Sequence, residues 1–182
     1  MIAIDPTIVC TISAALALIF AASAAMKFLD LNEFRGAVEN YRIVPEQLSG
    51  VIALAVPIAE IVGAIGLLLP NMHGDAAILL LMLLIVFSAS IAINLLRGRR
   101  NIDCGCFGPM LRQQLSWWLP ARNLALIAML AIAILPPYVR SLTPLDLATI
   151  VLAATTLALL FLAANYLAAN APHLRALELY DA

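Results

Sequence analysis

The run Ala76-Ala77-Ile78-Leu79-Leu80-Leu81-Met82-Leu83-Leu84-Ile85-Val86-Phe87-Ser88-Ala89-Ser90-Ile91-Ala92-Ile93-Asn94-Leu95-Leu96 carries no charged side chain. A helix needs roughly 20 mostly apolar residues to cross the hydrocarbon core of a bilayer. The run therefore reads as a membrane span, with a polar trace of Ser88, Ser90 and Asn94 in its last half. The composition agrees: of 182 residues, 64% are hydrophobic and 12% charged, and the mean hydropathy is +1.03. A soluble domain is about half apolar and a quarter charged. The chain is thus expected to be an all-α integral membrane bundle.

Immediately after this span, Arg97-Gly98-Arg99-Arg100 marks a membrane surface. Asp103-Cys104-Gly105-Cys106-Phe107-Gly108-Pro109 follows as a short loop holding two of the three cysteines. Two thiols separated by one residue can close on each other in a small, strained ring. Strain makes a disulfide easier to reduce and favours an exchanging role over a structural staple. Gly105 supplies the backbone freedom that such a ring needs. Arg97, Arg99, Arg100 and Arg112 flank the pair and favour thiolate, while Asp103 opposes it. A pair of inert free thiols in a Gly-rich turn is the plain alternative. Zinc wants four ligands, and His73 and His173 are remote in sequence, so no metal is expected.

Four further spans are expected, about 6–26, 51–69, 121–135 and 145–169, in one transmembrane domain covering 1–182. With the quoted span these make four core spans and a fifth on the C-terminal side. Cys10 lies near the start of the first, across the membrane from Cys104, and reads as a small buried hydrophobe. Between the first two spans, Asp30 and Glu33 have capping-box spacing. Phe34, Val38 and Tyr41 then recur at helical intervals up to Pro45, as in a short interfacial helix. Within the second span, Glu60 is costly in hydrocarbon and should face the bundle interior or a wet cavity. It suits a proton carrier or a polar anchor, and equally a helix-pairing carboxylate. Gly63 and Gly66 should let a neighbouring helix come close. Trp117 and Trp118 mark an interface, and Arg122-Asn123 open the fourth span. The basic residues show no nucleic-acid pattern.

Several of these residues together resemble a known family. Ala24-Ala25-Met26-Lys27 leads to Phe34, Tyr41 and Pro45. Pro57 and Glu60 follow, then Arg97-Gly98-Arg99-Arg100, Ile102-Asp103-Cys104-Gly105-Cys106-Phe107-Gly108 and Arg122-Asn123. This set is similar to the MauE family of methylamine utilisation proteins, from about Ser23 to the fourth span. Membrane proteins of the DoxX type share the helical pattern. The resemblance implies a role in maturing methylamine dehydrogenase, whose small subunit is periplasmic and rich in disulfides. It implies the thioredoxin-like MauD as a partner, that small subunit as a direct or indirect one, and membrane lipid around the bundle. The layout is also similar to that of vitamin K epoxide reductase, in which a helix bundle passes electrons from a cysteine pair to a quinone.

The expected function is therefore that of a membrane thiol–disulfide oxidoreductase, with Cys104 and Cys106 as the redox pair. For a quinone, Phe107, Trp117 and Trp118 would pack the ring, while Glu60, Asn94 and Arg122 would hold its oxygens or move protons. The competing classes are a non-enzymatic docking subunit for the same maturation and, on Glu60 alone, a small-solute transporter. The expected site is the bacterial inner membrane, with the cysteine loop in the periplasm. One signal opposes that orientation. Lys27, Arg35, Arg42, Arg97, Arg99, Arg100, Arg112 and Arg122 put eight of the ten Lys and Arg on the cysteine side. The positive-inside rule assigns such a side to the cytoplasm.

Overall fold

The computed structural model describes residues 4–106, 113–135 and 140–178, with side chains as far as 171. Phe107, Gly108-Pro109, Arg112, Pro136-Pro137 and the end of the polar tail fall outside the described residues. The described chain is helical: α1 (Pro6–Leu29), α2 (Leu31–Tyr41), α3 (Glu46–Leu68), α4 (His73–Leu96), α5 (Trp118–Ala133) and α6 (Pro144–Glu178). In α1, α3, α4 and the Pro144–Ala171 part of α6 there are four helices long and apolar enough to cross a membrane. α5 is a shorter apolar helix of 16 residues. The chain is a multi-pass membrane bundle, and the short amphipathic helix between the first two spans is α2.

Local chemistry sets the helix boundaries. The Asp5 carboxylate accepts from the Thr7 N–H at 2.8 Å, and Pro6 occupies the first turn, where its missing N–H costs nothing. Asp30 accepts from the Glu33 N–H at 2.9 Å and starts α2. Arg42 ends α2 with a left-handed backbone (φ 48°). Pro45 then caps α3.

α1 is the central helix, packed on α3, α5 and α6, while α4 bridges α3 and α5. The mid-bundle core joins Leu16 and Phe20 of α1 to Leu67 of α3, Leu80 and Leu84 of α4, Leu130 of α5 and Ala158 of α6. The α3–α4 contact depends on glycine. A Cβ on Gly63 would stand 2.5 Å from Leu80, and one on Gly66 would stand 2.6 Å from Ala76. Membrane helices associate through such close approaches because lipid offers no hydrophobic drive to bring them together.

α2 turns its apolar face inward. Phe34, Ala37 and Tyr41 are buried and pack toward α3 and the cysteine loop. The loop returns as a short antiparallel bridge between Asp103 and Gln114. Within it, the Cys104 N–H donates to the Gln113 carbonyl at 2.8 Å and the Leu115 N–H to that of Ile102 at 3.0 Å. Tyr41, Ile91, Leu95, Ile102, Cys104, Leu115 and Leu119 form a second apolar cluster beneath it.

Candidate functional site

Cys104 and Cys106 are joined by a disulfide, their Cα atoms 5.3 Å apart. Gly105 between them has a left-handed backbone (φ +67°), and a Cβ there would sit 2.8 Å from the Ala37 Cβ. Glycine is thus required twice, for its backbone and for its lack of bulk. Cys104 is only 2% exposed, and its carbonyl accepts from the Tyr41 hydroxyl at 3.2 Å. Burial, with the Asp103 charge second, holds that phenol well above its usual range, so Tyr41 stays a neutral donor. Arg99 braces the same corner, donating to the Asn94 side-chain oxygen at 3.2 Å.

Under Cys106 lies a charged cluster. Lys27 Nζ stands 2.8 Å from Glu60 Oε1 and 2.9 Å from Oε2. These two side chains are 1% and 7% exposed. Lys27 also donates to Ser23 Oγ at 2.6 Å and to the Cys106 carbonyl at 3.2 Å. The Ser23 hydroxyl lies 3.2 Å from Glu60 Oε1 and 3.0 Å from the Cys106 carbonyl, with one proton to give to either. A buried ion pair survives only when its remaining donors and acceptors are satisfied, and here the loop backbone supplies part of that satisfaction. A cavity of about 50 Å³ adjoins the cluster, lined among others by Cys106, Lys27, Glu60, Arg122 and Phe161. Arg122 is held by the side-chain oxygens of Asn123 and Asn165, and Asn123 donates to Ser88 at 3.1 Å.

Cys104 borders a different space. Phe34, Ala37, Tyr41, Val86 and Phe87 line an apolar cavity of about 160 Å³ beside it. Cys106 therefore lines a charged cavity and Cys104 an apolar one, with Leu83 and Phe87 lining both.

The structure brings Glu60 and Arg122 together with Cys106, and it places Glu60 inside the bundle with Lys27 as its partner. Asn94 is buried elsewhere, bonded to Arg99 and to the Ser90 carbonyl. Trp117 and Trp118 are 54% and 45% exposed and line neither cavity beside the pair. Phe107 lies outside the described residues. Cys10 is a free thiol in the opening turns of α1, about 25 Å of helix rise before Lys27. Sequence reasoning missed Ser23 and Lys27 as site residues. Their i, i+4 spacing puts both on one face of α1, a signal masked by counting Lys27 as a surface charge. Lys27 and Arg122 are in fact buried, so two of the eight basic residues on this side are interior groups.

Together, fold and site define a polytopic helical membrane protein with a disulfide seated at one end of its bundle. Residues 5–136 match the family described as methylamine utilisation protein MauE, and the chain belongs to that family. It is 45% identical over 131 residues to "Methylamine utilization protein MauE" of Paracoccus denitrificans, covering 72% of this chain and 70% of the relative. The relative of that description from Paracoccus versutus is 42% identical over 150 residues, covering 82% and 81%. The one from Methylorubrum extorquens is 39% identical over 145 residues, covering 79% and 78%. No solved structure matches the chain. The family match ends before α6, which nevertheless supplies Asn165 to Arg122.

Proposed function

We propose that this chain is a membrane thiol–disulfide oxidoreductase that supports disulfide formation in the methylamine dehydrogenase small subunit. The Cys104–Cys106 disulfide would take two electrons from a thioredoxin-like dithiol carrier, MauD, through a mixed disulfide. A membrane quinone would then take two electrons and two protons from the reduced pair. The bundle would sit in the bacterial inner membrane with the cysteine loop in the periplasm, where an oxidised pair persists. The observation that carries the reading is the closed Cys104–Cys106 disulfide, set against a charged cavity in an otherwise apolar bundle.

The lining of the apolar cavity by Phe34, Tyr41 and Phe87 beside Cys104 suits a lipophilic ring better than the surroundings of Trp117 and Trp118 do. The burial of Cys104 favours a second reading, a docking subunit that presents a partner without turning over.

The deciding experiment is a redox titration of the wild type and of Cys104→Ser, Cys106→Ser and the double variant, read by alkylation and mass shift. It is paired with an assay of dehydrogenase maturation. The redox reading expects reversible opening of the pair in wild type and loss of maturation in the double variant. Maturation by the double variant would establish the docking subunit instead.

A further inference from the structure

We propose that Cys106 is the sulfur a thiol carrier attacks, and that Cys104 is a seated leaving sulfur which the carrier never meets. The inference rests on the thiol-exchange reading above and names the point of contact within it.

The two sulfurs share one bond but are held differently. Cys104 is fixed through both of its backbone groups. Its N–H donates to the Gln113 carbonyl at 2.8 Å, and its carbonyl accepts from the hydroxyl of buried Tyr41 at 3.2 Å. It is a member of the apolar cluster built on Ile91, Leu95, Ile102, Leu115 and Leu119, and only 2% of it is exposed. Cys106 packs against the edge of that cluster and is partly exposed. Lys27 and Ser23 grip its carbonyl from the bundle side. That grip acts on the backbone oxygen and not on the sulfur.

Access follows from this seating. In thiol–disulfide exchange the incoming thiolate approaches the attacked sulfur from the side opposite the leaving one, so the sulfur that can be reached is the one attacked. Cys104 adjoins the apolar cavity lined by Phe34, Ala37, Tyr41 and Phe87. A thiolate standing there would be charged and unpaired in apolar surroundings, which is costly. α2 also stands against the loop itself. A Cβ on Gly105 would lie 2.8 Å from the Ala37 Cβ and 3.2 Å from a Phe34 ring carbon. Charge does not choose between the sulfurs. Arg99 serves the Cys104 corner through Asn94 and the Tyr41 carbonyl, and Lys27 under Cys106 is already paired with Glu60. Each neighbouring cation is engaged, and access decides.

The exchange then runs in one sense. The carrier arrives as a dithiol, and its first sulfur, deprotonated, bonds to the Cys106 sulfur. The bond between Cys106 and Cys104 breaks. Its electron pair goes to Cys104, which takes up the proton that the carrier sulfur gave up. The carrier's second thiolate attacks the first carrier sulfur and closes the carrier disulfide. The electron pair of the carrier–Cys106 bond returns to Cys106, which takes up the second proton. Two electrons and two protons pass from the carrier to the pair.

The test uses the full-length wild-type chain in detergent, its pair oxidised, with reduced glutathione as the attacking thiol. Samples are quenched in acid along a time course, and tandem mass spectrometry of the loop peptide locates the glutathione. At the earliest times it should sit on Cys106 in at least about tenfold excess over Cys104, the ratio given by a local opening of only ~1.4 kcal/mol to reach Cys104. In dodecyl sulfate, which undoes the seat, the excess should vanish. Single-cysteine chains guard against migration between the two sulfurs. Cys104→Ser should take up glutathione from glutathione disulfide faster than Cys106→Ser by the same margin, again read at the loop peptide so that Cys10 does not count. An early excess on Cys104, or an even split in the folded chain, would overturn the inference, as would a preference for Cys106 that survives dodecyl sulfate. A pair that opens reversibly but is attacked evenly sinks this proposal alone. A double serine variant that still supports maturation sinks the redox reading, wherever glutathione lands.

Discussion

The two ends of the bundle solve the same electrostatic problem in opposite ways. At the far end, Arg140 pairs with Asp5 at 3.1 Å and with Asp146 at 2.9 Å, and donates to Thr7 Oγ1 at 2.7 Å. This cluster ties the start of α1 to the start of α6 at the bundle's edge, with water at hand. At the cysteine end, Lys27 and Glu60 are sealed inside, and a loop carbonyl completes their coordination. The exposed cluster has solvent as an alternative partner for every charge, so losing one member is tolerated. The sealed pair has none, so its members stand or fall together. The lesson is that the disulfide loop is part of a buried polar network rather than a surface appendage.

The largest expected effect comes from breaking the sealed pair. Glu60→Leu leaves the Lys27 ammonium buried without its carboxylate and should cost about 3–5 kcal/mol of stability. Thermal unfolding in detergent, followed by tryptophan fluorescence, measures it. A loss no larger than that of Arg140→Ala would remove the distinction between the two ends.

Next comes the seat of the loop. Gly105→Ala pushes a methyl group to 2.8 Å from the Ala37 Cβ at a left-handed backbone, and overpacking of this kind costs about 1–3 kcal/mol. Gly98 is also left-handed (φ +74°) but has open space around it. Gly98→Ala should therefore show the backbone cost without the collision, and equal losses would show that α2 does not support the loop.

A smaller effect is expected from Arg140→Ala. Hydrogen bonds to Asp146 and then Asp5 raise the affinity of Arg140 for its proton, so it stays charged at every working pH. The variant should lower the unfolding temperature less than Glu60→Leu does, and the difference from wild type should shrink as salt screens the pairs. A salt-independent loss would place this cluster in the sealed class.

The smallest is an acid effect on α2. Hydrogen bonds from Ser49 and then Arg35 hold the Glu39 carboxyl below its ordinary range. Its folded affinity for a proton is thus lower than its unfolded one. The contribution is present above the unfolded value, roughly pH 4, and is lost as pH falls through the folded one. Circular dichroism of wild type against Glu39→Gln on acidification should show the difference closing at low pH. A difference that persists there would mean that the carboxylate charge is not what matters.

Much of the architecture is legible in the sequence. The uncharged run from Ala76 to Leu96 is long enough that only a helix can bury its backbone in hydrocarbon. The other apolar runs follow by the same reasoning, and Asp30 with Glu33 marks the start of α2. The small side chains at Gly63 and Gly66 announce a close helix contact without saying which helix makes it. Cys104-Gly105-Cys106 stands out because so short a spacing restricts what the two thiols can do. All of these are local or periodic features, carried by neighbours along the chain.

The makeup of the site was decided by tertiary structure. Lys27 looks like a flanking charge and becomes the partner of Glu60, because α1 and α3 cross at that level and a buried carboxylate demands a cation. Arg122 reads in the sequence only as a charge at the opening of the fourth span, and its seat inside the bundle is set by Asn165 on α6, 43 residues later. Trp117 and Trp118 look like aromatic lining and are largely exposed, since nothing in a local pattern tells which face of a helix end meets the loop. Sequence fixes which groups are costly to bury. Only the packing of distant helices determines which of them satisfy one another, because hydrogen-bond and charge partners are chosen by proximity in space and not along the chain.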